Sequence, residues 1–463
     1  MAGIPNGFCP VVVQQPAQAF QQFTPMPVVQ SYVQHMPFFA KKAMETAQEA
    51  SSTGSGSESL LTDLFRAKVA KMGLAMSNEA VPDILYPTGF PIIDYLNGYI
   101  AQQLNTDTGQ LEDYYNLGIT DGSYVCLCAN TSVGKSTFAN QLLANIARPY
   151  PKASVIIDDI ESGMTDVRRR HLAKFSKEEF DRRYLVRNAG ITIENIYQRI
   201  KTLSDLKTKE HAQEFFYDTG RRDLDGNPIV KLQPTLYLID SIAALMPADM
   251  VDEEELEGKS YGAHVAAVMS QMMQAILQLL KAANIIVVGI NHFSTDVQMS
   301  KFPKPPDPPW LKPGERIPKG KKATLLANNI YRMDISTKLK IDELYHVEGS
   351  VVRFSLVKSR SSGIKRPIGM VYDFINGFDP WLSMLEYLRD NKMLYGAGAA
   401  ISFDPERQFK FSLATFKDKV NNDPTFRRAF QEYMLPILQR IPMEVDRSES
   451  ANMHFDDILE SFY

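Results

Sequence analysis

Short apolar runs that alternate with helical patterns dominate the chain between residues 84 and 380. The runs are Val125–Cys128, Val155–Ile157, Leu236–Ile239, Ile285–Ile290 and Val351–Val357. From Val265 to Leu280, eight apolar residues follow i, i+3, i+4 spacing, which predicts an amphipathic helix of four turns. Strands that are apolar throughout and alternate with helices are typical of a parallel sheet covered on both faces. The pattern therefore predicts an α/β fold with a mostly parallel sheet.

The regions outside this pattern differ from it in composition. The N-terminal residues are rich in Gln, Pro, Ala and Ser and lack apolar periodicity, which favours disorder, with a short partner-binding strand as the alternative. Helical spacing follows from Leu60 to Met72. The C-terminal tail has six acidic residues and one Arg. We predict a disordered arm over 1–56, a helical segment over 57–82, a core over 83–380, a C-terminal domain over 381–443 and an acidic tail over 444–463.

Composition excludes several classes of protein but does not indicate a function. The 463 residues contain 50 Lys plus Arg and 54 Asp plus Glu, so the formal net charge of −4 gives no sign of nucleic-acid binding. Three cysteines cannot form a disulfide framework, which favours a reducing, cytosolic setting. Cys126 and Cys128 are expected to be buried as small apolar residues. We expect neither a membrane-spanning helix nor a secretory signal.

The strongest motif is a loop between an apolar strand and an amphipathic helix. It reads Ala129-Asn-Thr-Ser-Val-Gly-Lys-Ser-Thr137, a P-loop with Ala129 where the first Gly usually stands. Backbone N–H groups of such a loop point at phosphate oxygens, Lys135 adds positive charge, and the Ser136 hydroxyl is placed for Mg²⁺. The motif predicts binding of a nucleoside triphosphate with Mg²⁺. The predicted contacts are Ala129, Asn130, Thr131, Ser132, Val133, Gly134, Lys135, Ser136 and Thr137.

Acidic residues follow two of the apolar runs. Asp240, followed by Ser241, ends one run, at the sheet edge where α/β proteins bind ligands; its carboxylate would orient Mg²⁺ through water. Another run ends in Asp158, Asp159 and Glu161, and a carboxylate beside the γ-phosphate can act as general base toward water. The pattern alone does not separate these three candidates. A solvated strand end without chemistry is the alternative.

A polar pair and a basic segment follow the run Ile285–Ile290. Asn291 and His292 could contact the γ-phosphate, or be ordinary strand-end residues. Of residues 301–322, seven are Pro, seven are Lys or Arg and two are acidic, so we expect no helix there. The segment is either a solvated linker or a DNA loop in which Phe302 and Trp310 stack on bases. The candidate DNA contacts are Lys301, Lys304, Lys312, Arg316, Lys319, Lys321 and Lys322.

In combination, these motifs resemble those of the RecA-type recombinases, most of all the branch of the phage recombinase UvsX. The resemblance covers roughly residues 86–438. Besides the P-loop, it rests on Ile239–Pro247, Gly258–Met273, Val357–Arg360, Gly377–Glu386 and Phe426–Phe430. It implies a RecA-like P-loop ATPase core followed by a small C-terminal α+β domain. It also makes the segment 57–82 a candidate polymerisation element.

The resemblance implies roles for particular residues. It selects Glu161 as the catalytic base and identifies His292 as the γ-phosphate sensor. Lys358 and Arg360 would act on the ATP of a neighbouring subunit, where cations stabilise transition-state charge. The two DNA loops would be 248–261 and 293–323.

The chain departs from the family at three places. Its second DNA loop is Pro-rich rather than Gly-rich, so base-contacting residues do not transfer. Its first DNA loop is acidic, and Arg168 stands where bacterial members stack an aromatic ring on adenine.

The resemblance implies an ATPase that assembles helical homo-oligomeric filaments on single-stranded DNA. The filament would pair that strand with homologous double-stranded DNA and exchange strands, using ATP and Mg²⁺. Single-strand-binding and mediator proteins are candidate partners, and the host cytoplasm is the implied location. The alternatives are a RecA-core helicase or motor and a non-catalytic ATP-binding recombination mediator.

Overall fold

The computed structural model describes residues 83–251, 261–295, 305–319, 321–341, 344–362 and 366–446. Several predictions fall outside these ranges and are untested by the structure. They concern the arm 1–56, the segment 57–82, most of the first DNA loop, the acidic tail beyond residue 446, Lys301, Phe302 and Lys304.

Strands make up the centre of the described part of the chain. They are β1 (Leu85–Tyr86), β2 (Tyr99–Asn105), β3 (Gln110–Asn116), β4 (Ile119–Thr120), β5 (Tyr124–Ala129), β6 (Val155–Asp159), β7 (Tyr184–Arg187), β8 (Phe216–Arg222), β9 (Pro228–Leu232), β10 (Thr235–Asp240), β11 (Ile285–His292), β12 (Ser294–Thr295), β13 (Glu315–Arg316), β14 (Asn329–Leu339), β15 (Gly349–Lys358), β16 (Pro367–Asp373) and β17 (Gly377–Asp379).

Helices connect and cover these strands. The α-helices are α1 (Pro91–Asn97), α2 (Lys135–Ala147), α3 (Asp166–Ala173), α4 (Lys177–Arg183), α5 (Ile193–Asp205), α6 (Ala212–Phe215), α7 (Ala248–Val251), α8 (Tyr261–Ala283), α9 (Lys321–Leu325), α10 (Pro380–Asp390), α11 (Phe416–Asn422) and α12 (Pro424–Asp446). A π-helical turn spans Leu206–Glu210, and 3₁₀ turns span Ile242–Ala244 and Gly398–Ala400.

Nine strands form one sheet, in the order β17-β16-β15-β14-β5-β11-β10-β6-β7. The six strands from β14 to β7 are parallel, and β15, β16 and β17 continue the sheet with antiparallel pairing. The prediction of a mostly parallel sheet is therefore confirmed. The carboxyl ends of β5, β6, β10 and β11 meet at one edge, which we call the phosphate-loop edge. The edge where these strands begin is called the opposite edge.

Strand β5 shows why its sequence is apolar throughout. Val125 and Leu127 contact one hydrophobic cluster together with Phe138 of α2. Cys126 and Cys128 face the other cluster, which includes Met269 of α8. Both cysteines are free and at most 1% exposed, which confirms that they are buried as apolar residues. Helices on both faces leave no side of the strand for polar residues.

Helix α8 bears on the expectation that the chain has no membrane-spanning helix. Residues Gly262–Ala283 are long and apolar enough to cross a membrane when judged by length and composition alone. A core helix passes the same test, and α8 has a buried side whose members are at most 5% exposed, namely Val265, Met269, Met272, Met273, Ile276 and Leu280. This side belongs to the second hydrophobic cluster. The methionines on this side are therefore core residues.

The hydrophobic core continues into the residues after Pro380. Phe403, Phe416, Phe426 and Phe430 are all at most 2% exposed and belong to the same cluster as β5 and α2. The predicted boundary between a core and a separate C-terminal domain stays a prediction.

Candidate functional site

The loop between β5 and α2 is shaped by two residues with left-handed backbone conformation. The φ angle is 61° at Ser132 and 94° at Gly134. A Cβ atom on Gly134 would lie 2.8 Å from the ring of Tyr372, so both backbone and space require glycine there. Helix α2 begins at Lys135, and its first N–H groups have no partner within the helix. The loop thus presents backbone donors at a helix N-terminus, the arrangement that binds phosphate.

Lys135 is buried at the base of this loop. Its side chain donates to the carbonyl oxygens of Ala129, at 3.2 Å, and Asn130, at 2.6 Å. Only 5% of the residue is exposed, and this burial lowers the pKa of Lys135 to about 8. The nearby carboxylates of Asp240 and Glu161 act in the opposite direction. Lys135 therefore stays mainly charged at pH 7, next to the backbone donors.

Ser136 and Asp240 are the residues that could hold a magnesium ion. Burial raises the pKa of Asp240 to about 6, while a hydrogen bond from the Ser136 hydroxyl acts to lower it. Mg²⁺ prefers oxygen ligands and usually takes one or two carboxylates plus substrate phosphates. A hydroxyl and a carboxylate in contact fit that preference. Within the described residues, no group of three or more His, Cys, Asp or Glu side chains could hold a metal ion.

The three carboxylates after β6 have different partners. Asp158 is fully buried, forms an ion pair with Arg199 and accepts a hydrogen bond from the Tyr237 hydroxyl. Asp159 is 2% exposed and forms an ion pair with Arg169. Both aspartates are therefore occupied in buried salt bridges.

Glu161 lies past the end of β6 and has a 43% exposed side chain. Its carboxylate accepts a hydrogen bond from the Ser241 hydroxyl and lies 3.2 Å from Nε2 of His292. The geometry thus separates the three candidates that the sequence left equal. Glu161 is the one whose carboxylate faces the phosphate-loop edge without an arginine partner in the described structure.

His292 reaches this edge through the register of the sheet. It pairs with Ala129 of β5, the first residue of the predicted nucleotide contacts. Burial lowers the pKa of His292, and the charge of Lys135 lowers it further, while Glu161 acts in the opposite direction. The imidazole is therefore held mainly neutral at pH 7, in contact with Glu161.

A turn between β16 and β17 borders the loop and was missed from the sequence. Tyr372, at the end of β16, has its hydroxyl 3.3 Å from that of Thr137, and its ring stacks on Phe378. Arg168 donates to the carbonyls of Phe374 and Ile375 in this turn. The aromatic residues Tyr372 and Phe374, just before Asn376-Gly377, are the signal that could have found it.

Lys358 and Arg360 lie away from this edge. Strand β15 is antiparallel to β14, and Lys358 pairs with Ile330, which in turn pairs with Cys126. The strand pairing thus places Lys358 level with a residue three positions, or about 10 Å, before the loop begins at Ala129. Lys358 donates to the Leu325 carbonyl, and Arg360 lines a cavity of about 270 Å³ together with Asp83. The structure does not bring these two cations to the loop of their own chain.

The described residues of the basic segment, 305–319 and 321–322, include several that contact the rest of the protein. Lys312 forms an ion pair with Asp334 at 2.7 Å, Lys321 forms one with Asp307, and the Arg316 side chain donates to Ser294. Lys319 is partly buried, and this burial lowers its pKa, whereas Lys322 is exposed. The predicted DNA contacts in the described part of the segment thus differ in burial and in their protein partners.

One expectation about this segment is wrong, namely that no helix forms there. Stacking of Trp310 on bases stays a prediction, and its ring is partly buried against the second hydrophobic cluster. Lys321 and Lys322 begin helix α9, although the sequence argued against a helix before residue 323. The last proline of the segment is Pro318, so the residues after Lys319 have the N–H groups that a helix needs.

The parallel sheet, the loop and the carboxylate side chains at the ends of the strands define a P-loop NTPase-like core. No family model matches the chain. The chain is similar to the energy-coupling factor transporter ATP-binding protein EcfA2 of Clostridium perfringens, with 26% identity over 210 residues. The alignment covers 40% of this chain and 72% of that protein. This similarity supports a P-loop ATPase and does not extend to recombinases.

Proposed function

We propose that this protein is an ATP-dependent DNA recombinase that forms helical filaments on single-stranded DNA. The observation that carries the proposal is that β11 connects the two functions. Its last residue, His292, contacts Glu161 at the phosphate-loop edge, and the chain continues from there to the basic segment, which begins at residue 301. A nucleotide bound at that edge would therefore act on the residues that lead into the basic segment. The motif resemblance to RecA-type recombinases supports the same function.

The proposed reaction hydrolyses ATP to ADP and phosphate. Lys135 and the loop N–H groups would hold the β- and γ-phosphates, and Ser136 and Asp240 would hold Mg²⁺, whose charge would neutralise that of the phosphates. Glu161 takes a proton from a water molecule as the water oxygen bonds to the γ-phosphorus. The bond from that phosphorus to the bridging oxygen breaks, and ADP leaves. His292, held close to Glu161, would respond to loss of the γ-phosphate.

In the proposal, the reaction is completed by a second subunit. Lys358 and Arg360 lie away from the loop of their own chain, and in the proposal they act on the loop of a neighbour. A contact between unlike surfaces of identical subunits generates a ring or an open helical filament. ATP turnover would then depend on assembly. Single-strand-binding and mediator proteins as partners, and a cytoplasmic location, belong to this proposal.

A second candidate is an ATPase that drives another component. The similarity to a transporter ATP-binding protein favours it, since that protein aligns over 72% of its length. A RecA-core helicase or motor and a non-catalytic mediator would share the same phosphate-loop edge.

The proposal is tested by ATP hydrolysis with and without single-stranded DNA, combined with negative-stain microscopy of the same samples. The wild type should hydrolyse ATP faster with DNA and form helical filaments. Glu161→Gln should lower turnover about a hundredfold or more, because general-base catalysis contributes at least that much, and should retain filaments. Glu178→Gln, which changes an exposed acid on α4, is the matched control. Closed rings, or turnover indifferent to DNA, would instead favour the motor.

A further inference from the structure

Arg332 is a buried cation beside the phosphate-loop strand that the proposed reaction does not use. It lies on β14 and pairs with Cys128 of β5, and Asn291 of β11 pairs with the same cysteine from the other side. Its side chain is only 6% exposed. A buried arginine is costly unless its donors are satisfied, so its partners indicate what it does.

The partners of Arg332 come from its own strand and from the basic segment. Its guanidinium donates to both carboxylate oxygens of Glu315, at 2.7 and 2.9 Å, and to the carbonyl oxygen of Trp310, at 3.2 Å. Asp334 accepts two further hydrogen bonds, the shorter of 2.7 Å. A fork of two parallel hydrogen bonds fixes orientation as well as adding energy.

The same guanidinium also contacts a residue that precedes the segment. It lies over the ring of Phe293, 4.6 Å from the ring centre, which is a favourable cation–π distance. Phe293 directly follows His292, and Thr295 pairs with Glu315 in the small sheet of β12 and β13. Arg332 therefore contacts both Phe293, which directly follows β11, and two residues within the segment, Trp310 and Glu315.

We infer that Arg332 is the positioning residue that fixes the basic segment to the nucleotide-binding core. The inference deepens the proposed function and rests on it where nucleotide is concerned. When nucleotide changes the contact between His292 and Glu161, Phe293 moves relative to the guanidinium, and the hold on Glu315 changes with it. Arg332 thus sets whether Lys312 and Arg316 keep their contacts with Asp334 and Ser294 or become available to nucleic-acid phosphates.

Trypsin cleavage after Arg316 measures this hold directly, in the absence of DNA. Arg316 is exposed, but the next residue, Ile317, is 9% exposed, so cleavage requires local opening. Arg332→Gln should be cleaved at this bond about tenfold faster or more, because charged hydrogen bonds hold the segment closed and cleavage follows the open population. Glu315→Gln should also be cleaved faster after Arg316 than wild type, and this variant leaves the buried Arg332 itself in place. Arg332→Lys keeps the charge but loses the two parallel hydrogen bonds to Glu315. Its cleavage rate should therefore lie between those of wild type and Arg332→Gln.

The nucleotide dependence of cleavage separates positioning from simple stability. In the wild type, a non-hydrolysable ATP analogue with Mg²⁺ should change the cleavage rate after Arg316, and Arg332→Gln should remove that response. Arg353→Gln, an exposed arginine on β15, is the control and should behave as wild type. Equal basal cleavage of wild type, Arg332→Gln and Glu315→Gln would overturn the inference. A response to nucleotide that survives Arg332→Gln would overturn it as well.

Failure of the proposed function has a separate signature. If the wild type does not bind the ATP analogue in a direct titration, nucleotide binding fails. The basal cleavage of the two variants still decides whether Arg332 holds the segment. Lys135→Ala should lose the nucleotide response and keep the basal protection of the wild type.

Discussion

At the phosphate-loop edge, Lys135 lies within a group of acidic, hydroxyl and imidazole side chains, whereas at the opposite edge Lys358 donates to the Leu325 carbonyl near Arg360. The first edge joins its groups because β5, β6, β10 and β11 all end there. The second edge carries Lys358 and Arg360, which could pair with a nucleotide phosphate only if another molecule brought that phosphate to them. Burial and the nearby Arg360 both lower the pKa of Lys358, so an anion placed there would be favourable.

In the proposed function, one chain supplies the phosphate-binding groups at one edge and additional cations at the other. The proposed binding groups lie together, while the cations proposed to stabilise transition-state charge lie apart from them. In a filament, such a separation would make turnover depend on the neighbouring subunit. Substituting residues at each edge separately, and then mixing the two variants, tests this separation most directly.

The largest effect is expected from removing the cations at the opposite edge. Lys358→Ala or Arg360→Ala should lower DNA-dependent ATP turnover about a thousandfold, the lower range for arginine fingers supplied by a partner. Nucleotide binding by the isolated chain should be retained, because Lys135 and Asp240 are unchanged. Lys338→Ala, an exposed lysine on β14, is the control. Unchanged turnover of Lys358→Ala would show that the site lies within one chain.

Mixing two inactive variants tests the same point without relying on one substitution. Lys135→Ala lacks the loop cation and Lys358→Ala lacks the edge cation. In an equal mixture, about a quarter of head-to-tail contacts join an intact loop to an intact neighbour, so activity should return to that fraction. Failure of the mixture to regain activity, with mixed filaments visible, would contradict action between subunits.

The phosphate-loop edge could be predicted in part because its strongest signal is local. The residues from Ala129 to Thr137 are contiguous, and a strand and a helix flank them in sequence as in the structure. Asp240 and His292 could be proposed because apolar strands end just before them. These inferences need only the rule that parallel strands end at a common edge.

The remaining features depend on partners that are distant in sequence. Asp158 is occupied by Arg199, 41 residues away, and nothing in the run that ends at Asp158 indicates this pair. The Trp310 carbonyl accepts a hydrogen bond from Arg332, 22 residues later, and nothing in the basic, Pro-rich composition of the segment indicates this contact.

At the phosphate-loop edge, a smaller effect is expected from substituting Asp158, which forms a buried salt bridge, than from substituting Glu161. Asp158→Asn leaves Arg199 without its carboxylate in a site where the aspartate is fully buried, which should lower the free energy of unfolding by about 3 kcal/mol. Turnover per folded molecule should change little. Denaturant unfolding measures the loss of stability. ATP hydrolysis, assayed at a temperature 10 °C lower than the melting midpoint of the variant, measures turnover per folded molecule. Asp181→Asn, at an exposed ion pair with Lys177, should change stability by less than about 1 kcal/mol. A hundredfold loss of turnover in folded Asp158→Asn would make that residue the base instead.

The smallest effect concerns the pH dependence of Asp240. Because burial raises its pKa to about 6, the folded protein binds a proton more tightly than the unfolded chain does. Stability of the wild type should therefore fall as the pH rises from about 4 to 6 and stay lower above that range. Asp240→Asn removes this cost and should be more stable than wild type at pH 8.

The same substitution should weaken magnesium-dependent nucleotide binding, since the carboxylate oxygen is lost. In the wild type, binding of the Mg-nucleotide should weaken by about tenfold per pH unit below 6, because magnesium must compete with the proton on Asp240. Calorimetric titrations between pH 5 and 8, with and without Mg²⁺, measure this dependence. Asp240→Asn should bind weakly at every pH without that slope. A slope that persists in Asp240→Asn would assign the titration to another group at this edge, and His292→Gln would then identify or exclude the imidazole.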